Sequence, residues 1–532
     1  MNSGSRSRKK KKRILIIGAG ASGMSCAATL AEHPERFDVT IIERRHVVGG
    51  RATSRSIDGS KYGADWFNDG VQGGTILYRH AFKFFRKYGY EPQEVKLQFA
   101  YGKGKDNFWT NVFPTPLVER FPDEIRKFKK VMKLIRRMPS VLGLIPLRVM
   151  FTMFGFKKEF IDKMVIPMLS IYLGTEHQTS NVTSLLLLRL FEEPNMELWK
   201  NDPDSLLFNM PSVFTFPNMG DFYRDWSSDL RRKGVSIRLN TEAIRVVQRN
   251  KDGIVLHTRL LDADPRIGGD ETNGSFDQES FDDMVLCIFA HDALRVLDGQ
   301  ATRTERFVLS NERFYHDTTV VHTDYKYIQR MYESKFKPEL SVTPKNQEQR
   351  ERVEFGRSEP RSQEDGWSGY QPMYYMHSYG NAPGKLEISY DCTTFQHQFR
   401  QNKEFGQPPP PFDRRIFQTI FLDMRQNHRW TIGQIDERKI IERRWSFEWK
   451  RGWRHYAKTI PGMILINGSN HTYFAGNGSL ADLYELSCMS GIAAAYRLGA
   501  NYEKFDSTAE KTFASFLKIF HGVRYRSNIP GG

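Results

Sequence analysis

Cysteine is scarce in this 532-residue chain: Cys26, Cys287, Cys392 and Cys488 are the only four. They lie far apart, which excludes a CxxC redox pair, a zinc-type ligand spacing and a disulfide-stapled scaffold. Reduced thiols are expected, and with them an intracellular, cytoplasmic protein. Long hydrophobic runs are also missing. The longest, Val141 to Phe156, is short and carries Arg148 near its middle, so a membrane-spanning helix is not expected. The first residues are polar and then basic, without the apolar stretch of a secretory leader. The final Pro-Gly-Gly offers no lipidation or peroxisomal signal. Among the 14 histidines no metal site, acid pair or Ser-His-Asp arrangement stands out. Acidic charge is in deficit, with a net charge of +16. Part of that excess is the run Arg6 to Arg13, RSRKKKKR. It reads as a solvated tail, a nuclear signal or a contact for an anionic membrane. No nucleic-acid partner is expected.

What is present is a large globular chain, 39% hydrophobic and 13% aromatic. An apolar strand, RILIIG, opens at Arg13. The helix-like ASGMSCAATLAEH follows, then a second strand, FDVTIIE, ending at Glu43. Together they make one βαβ unit. From Tyr78 to about Gly234 helical periodicity dominates, as in Glu124 to Met138 and Val182 to Phe191. Val235 to Thr258 reads as a hairpin turning at Asn250-Lys251-Asp252-Gly253. Residues 262–279 read as an exposed loop and residues 344–368 as a charged, mobile insertion. Further strands are expected at Asp283 to Ala290, Thr319 to Asp324 and Lys385 to Asp391.

The turn after the first strand is Gly18-Ala19-Gly20-Ala21-Ser22-Gly23. A GxGxxG between an apolar strand and an Ala-rich helix is a dinucleotide site. Gly18 permits the tight turn, Gly20 lets a pyrophosphate approach the backbone, and Gly23 allows close helix-strand packing. The N–H groups of Ala21 and Ser22 open the helix toward the phosphates. Glu43, followed by Arg44, ends the second strand 20 residues after Gly23, where a carboxylate accepts from ribose hydroxyls. A second motif, Gly49-Gly50-Arg51-Ala52, can pass close to a pyrophosphate, with Arg51 adding charge. NAD sites do not need it, so it points to FAD.

These blocks, KRILIIGAGASGMSCAATL and IIERRHVVGGRATS, resemble the start of the flavin-containing amine oxidase and phytoene desaturase superfamily. Phe67-Asn68-Asp69-Gly70 resembles its Asp-Gly stretch near the flavin. Leu239 to Ala243 resembles its adenine-contacting strand, although family members usually carry Val where Ala243 stands. Tyr473 to Asn477, with Gly476, Asn477, Glu485, Gly491 and Ile492, resembles its C-terminal FAD motif. His322-Thr323-Asp324 and Leu498-Gly499-Ala500 are similar to its predicted NAD/FAD-binding protein branch. There are departures. Tyr484 stands where that branch often has His, and Gly476-Asn477-Gly478 lacks the usual acidic residue.

The resemblance implies an α/β chain: a Rossmann-like FAD-binding domain and a mixed α+β substrate (cap) domain, both discontinuous in sequence. The expected division is a disordered basic tail, 1–12; an FAD-binding domain from 13–77, 232–300 and 460–504; a cap from 78–231 and 301–459; and a C-terminal tail, 505–532. It implies non-covalent FAD and an oxidase or desaturase acting on an apolar amine or lipid-like substrate. Two alternatives share the superfamily: a redox-neutral isomerase of polyunsaturated lipids, and a non-catalytic binder of lipid or prenyl groups. Aromatics such as Phe67, Phe108, Trp109, Trp445, Trp449, Trp453 and Tyr484 are expected to line an apolar cavity. Tyr484, Leu483, Asp65 and Trp66 are the candidates for the substrate side of the flavin. Finally, Ile125 to Arg137 places Ile125, Phe128, Met132 and Ile135 on one helical face among seven Lys and Arg. It reads either as a surface helix of the cap or as a helix lying on an anionic membrane.

Overall fold

The computed structural model describes residues 10–143, 145–173, 176–184, 210–261, 276–364, 366–379, 382–400, 406–421, 428, 430–450, 454–476 and 479–526. Strand β1 (Lys12–Ile17) is apolar on both faces, and Ile14 to Ile17 are buried, as a central parallel strand requires. It lies between β2 (Phe37–Ile42) and Asp283–Leu286, both parallel to it. Ser236–Arg238 extends the sheet beyond β2, and Thr472–Phe474 extends it beyond Asp283–Leu286, again in parallel. Five strands from distant parts of the chain thus form one parallel sheet. Helix α1 (Ala21–Ala31) consists largely of small residues and is buried along nearly its whole length. It is pressed between this sheet and the helix Tyr484–Leu498. Gly491 makes the crossing possible: a Cβ there would overlap the carbonyl oxygen of Ser22 and the hydroxyl of Ser25.

A second, seven-stranded sheet has the spatial order 440–450, 313–322, 417–421, 382–391, 374–379, 99–101, 109–110. Its pairs are antiparallel except that of 374–379 with 99–101. The mixed α/β architecture is therefore a parallel dinucleotide-type sheet beside a mostly antiparallel one. The two are joined through the segment 66–74 and its partners.

Several details correct the sequence reading. The block 235–258 is not one hairpin: Ser236–Arg238 joins the parallel sheet, and only Thr241–Asn250 pairs with Gly253–Leu260. Residues 344–368 contain a helix, Gln347–Arg357, capped by the Asn346 side chain on Gln349 N, and Gly356 packs against Phe113. Charge counts alone had hidden that packing. The supposed loop 262–279 ends in a strand, Asp277–Phe281; residues 262–275 lie outside the described residues. So does most of the expected helix 182–191, from residue 185 on, and so do residues 1–9 of the basic tail. The C-terminal stretch is no bare tail. Ser507–His521 is a helix capped by Asp506 and buries Phe513, Phe516, Leu517 and Phe520. No helix among the described residues is long and apolar enough to cross a membrane.

Candidate dinucleotide and active site

At the carboxyl edge of the parallel sheet three glycine-bearing turns converge. Gly18 leaves β1 with φ +103°, and a Cβ there would lie 2.6 Å from Cys287 O, so the neighbouring strand end requires glycine. Gly20 caps α1 without any side-chain hydrogen bond, leaving the first helical N–H groups, at Ala21 and Ser22, directed out of the turn. A Cβ on Gly20 would meet only Gly50 Cα, at 3.8 Å. That open cradle is what an approaching phosphate needs. Gly23 is different: its Cβ would overlap Gly18 O, so its absence serves packing.

The second motif folds back onto the first. Gly49 N donates to Ala19 O at 2.9 Å, and Gly50 takes φ +60° beside Gly20. Glu43 is buried; its carboxylate accepts from Ala19 N and Arg45 N, both at 2.9 Å. Arg44 points to solvent, whereas Arg45 donates to Gly50 O at 2.7 Å. Arg45 is thus the side chain that fixes this loop, and the motif alone did not reveal it. Ala52 is buried, and Arg51 bridges to Asp482 at 3.1 Å. Ala243 is buried at the start of its strand, where Thr241 N donates to Glu43 O at 2.9 Å. Gly476 completes the ring: its N–H donates to Ser490 Oγ at 2.7 Å, and a Cβ would lie 3.0 Å from Ser22 Oγ. Asn477 lies outside the described residues.

Other expected cofactor contacts are placed differently. Asp69 is buried and accepts from Thr53 Oγ1 at 2.6 Å, Arg55 Nε at 3.2 Å and Arg444 at 2.8 Å. Its carboxylate clamps the seven-stranded sheet onto the 49–53 loop rather than facing a ligand. Burial pulls the Arg444 guanidinium down, with Asp69 opposing that shift. Gly70 is required because a Cβ would overlap Arg51 O. Glu485 accepts from His80 N at 3.0 Å, Ala81 N at 2.9 Å and His80 Nδ1 at 2.6 Å, while His80 Nε2 meets Tyr502 at 3.0 Å. It caps the helix Arg79–Lys87 and is a structural acid. Ile492 is a core side chain.

The substrate-side candidates also separate. Tyr484 bonds Tyr223 OH at 2.8 Å and packs on Phe85 and Phe216, deep in an aromatic core. Burial pushes its phenol pKa well up. Leu483 is the N-cap of the same helix. Asp65 is exposed in the turn after Gly59. Trp66 is half-buried against His397, ring centroids 5.9 Å apart. Phe67, Phe108 and Trp109 are core residues, and Trp445 is exposed. The side chain of Trp449 and all of Trp453 lie outside the described residues.

A cluster of residues around Gly73 and Gly74, in a separate three-stranded sheet, was not anticipated. Gly73 and Gly74 are squeezed between Phe395 and Tyr78. Tyr374 lies edge-on to Tyr390 at 4.6 Å and 5.5 Å from the Phe395 ring. Beside them Gln72 donates to Gln418 at 2.7 Å and accepts from Gln396 at 3.0 Å. These residues are about 300 positions apart in sequence and belong to different sheets, and side-chain contacts from Phe395, Gln396 and Gln418 bring them together.

Comparison with known proteins agrees with this geometry. Residues 16–88 match the NAD(P)-binding Rossmann-like domain model. Among solved structures, a CLA-producing fatty acid isomerase from P. acnes superposes with a TM-score of 0.59 at 13% identity, covering 92% of this chain and 99% of that one. A putrescine oxidase bound to putrescine gives 0.56 at 13% identity, with 92% and 99% covered. The cyclohexylamine oxidase from Brevibacterium oxydans gives 0.55 at 12%, with 94% and 100% covered. The chain has the flavin amine-oxidase fold. A corticosteroid-binding protein of Candida albicans is 40% identical over 82 residues, 14% of this chain. This chain spans 16% of that relative's length.

Proposed function

We propose that this chain binds FAD without a covalent link and acts as an FAD-dependent oxidoreductase, an oxidase or desaturase, on an apolar amine or lipid-like substrate. The observation that carries the cofactor reading is the open cradle at Gly20, ringed by Gly50 and Gly476, with the N-terminus of α1 aimed into it. Glu43 and Arg45 close the adenosine side, and Arg51 with Asp482 closes the other. When bound, FAD supplies hydride-accepting chemistry. The chain's own residues hold it, exclude water and orient the substrate. Residues 13–77, 232–300 and 460–504 serve as the FAD-binding domain, and the seven-stranded sheet with the 78–231 helices serves as the cap.

The aromatic wall of Tyr78, Tyr374, Tyr390 and Phe395 supports an apolar substrate. The Gln72 amide donates to Gln418 and accepts from Gln396, so its polar atoms are taken up within the protein. Two names among the similar proteins, a fatty acid isomerase and a corticosteroid-binding protein, agree with it. The test is an absorbance spectrum of the purified protein. A yellow chromophore released as FAD on denaturation is expected; colour retained by washed precipitate overturns the non-covalent part, and a colourless folded protein that takes up no FAD overturns the rest. Turnover of apolar amines or lipids with O2 or an added acceptor separates net oxidation from double-bond migration. Spectral shifts confined to small polar compounds would overturn the substrate class.

A further inference from the structure

The apolar face of the helix Pro122–Arg137 is turned inward: Ile125, Phe128, Met132 and Ile135 are buried in the main core. That apolar face is therefore taken up by the core. What the burial leaves outward is charge. Lys129, Lys130, Lys133, Arg137 and Arg148 have no acidic partner among the described residues. From Ile125 to Lys158 the sequence carries ten Lys and Arg and no Asp or Glu.

The chain that follows reverses the usual surface rule. Met138, Val141, Val149 and Met153 are 46%, 60%, 43% and 57% exposed. They belong to the end of that helix, to Pro139–Leu142 and to Leu147–Met153. In the last of these helices Leu147, Met150 and Phe151 are buried, so Val149 and Met153, four apart, share the outer face. The unit is tied together: Phe156 meets the Phe128 ring at 6.3 Å, and Lys127 donates to Gly155 O at 2.9 Å. Aliphatic side chains among unpaired cations, with no acid in the segment, is the chemistry of a surface that meets anionic headgroups and acyl chains together.

We propose that this face, Met138 to Met153 with the outer side of the preceding helix, is a docking surface for an anionic lipid bilayer. Cations draw the face to the headgroups, and Val141, Val149 and Met153 enter the boundary of the acyl region.

The test is flotation of the full-length protein with vesicles of phosphatidylcholine alone and of phosphatidylcholine with phosphatidylserine. Binding is expected only to the second and should weaken with salt. The triple variant Lys130→Gln, Lys133→Gln, Arg137→Gln should lower partitioning about a hundred-fold, near five-fold for each charge. The variant Val141→Ser, Val149→Ser, Met153→Ser should lower it roughly ten-fold or more and leave the residual binding fully salt-sensitive. Circular dichroism melting of both variants checks that the fold persists; every substituted position is exposed, so unchanged melting is expected. Equal binding to neutral vesicles, or binding unchanged in both variants, overturns the proposal. So does binding that disappears only when Lys9 to Lys12 are replaced, because the N-terminal run would then be the membrane contact. Duplex DNA that binds more tightly than the vesicles and displaces them would assign the face to nucleic acid.

Discussion

At Gly23 and Gly491 the backbone of one element touches the backbone of another, whereas at Glu387 three hydroxyl groups from separate segments converge on one buried carboxylate. Those hydroxyls are Tyr327, Tyr379 and Thr431. The dinucleotide end is thus held by what its glycines leave out, and the seven-stranded sheet by what its polar side chains bring in. Nearby, Arg415 pairs with Asp391 at 2.9 Å, and Asp391 also holds Thr394. The two kinds of construction fail differently. Removing a partner from a buried polar network strands the group left behind, while adding a methyl to a backbone crossing forces the elements apart.

The largest effect is therefore expected in the seven-stranded sheet. Asp391→Ala leaves the buried Arg415 guanidinium unpaired and should cost about 3–5 kcal/mol of stability. Denaturant unfolding checks it; a loss under about 1 kcal/mol would show that the network relaxes, against the contrast drawn above.

Within the dinucleotide end, two glycines three residues apart should give opposite phenotypes. Gly23→Ala should lower stability by about 1–3 kcal/mol or more, because its Cβ has no room beside Gly18 O. Gly20→Val should keep the fold and lose the yellow cofactor, because its side chain fills the open cradle. Melting curves and flavin content of the two purified variants check both. A Gly20→Val protein with full FAD content would overturn the site.

Acid should separate the regions as well. Burial holds His322 down to about 3 and His397 down to about 4, both near the seven-stranded sheet. The unfolded imidazole binds its proton near pH 6.5, so the folded state gains nothing from protonation in between. Each histidine's contribution is complete above pH 6.5 and is lost as pH falls toward its folded value, at about 1.4 kcal/mol per unit. His322 is neutral, accepting from Asp324 N at 3.1 Å and facing Thr419 Oγ1 at 3.0 Å. His322→Gln should therefore flatten the acid limb of a stability–pH profile between pH 6 and 4 by about 1 kcal/mol per unit. An unaltered slope would exclude this histidine as its source. The smallest effect is expected at Asp506, whose side chain accepts from Ala509 N at 2.8 Å at a helix start. Asp506→Ala should cost about 1 kcal/mol, read as a small fall in melting temperature.

The same contrast explains what could be read in advance. β1, α1 and β2 were legible because a buried parallel strand, a GxGxxG turn and a small-residue helix are written in adjacent positions. The two converging glycine turns followed from Gly18, Gly20, Gly49 and Gly50 because backbone conformation is a local property. The surroundings of Tyr484 and Glu485 were not legible, because their motif position says nothing about which way a buried helix turns its side chains. The helix 347–357 was hidden in a charged stretch because only Val353 and Gly356 are buried in it.

The sequence by itself determined the nucleotide-binding unit, the amphipathic pattern of the helix Pro122–Arg137 and the excess of positive charge. Tertiary structure alone decided the rest. It folded the apolar stripe of that helix inward and left Met138, Val141, Val149 and Met153 outside. It spent Asp69 on Arg444 and Glu485 on His80, and it brought Tyr374 and Phe395 to Gly73. The physical reason is range. Turns and helix faces are fixed by neighbours a few residues away, whereas a buried wall or an ion pair depends on strands that pair across hundreds of residues.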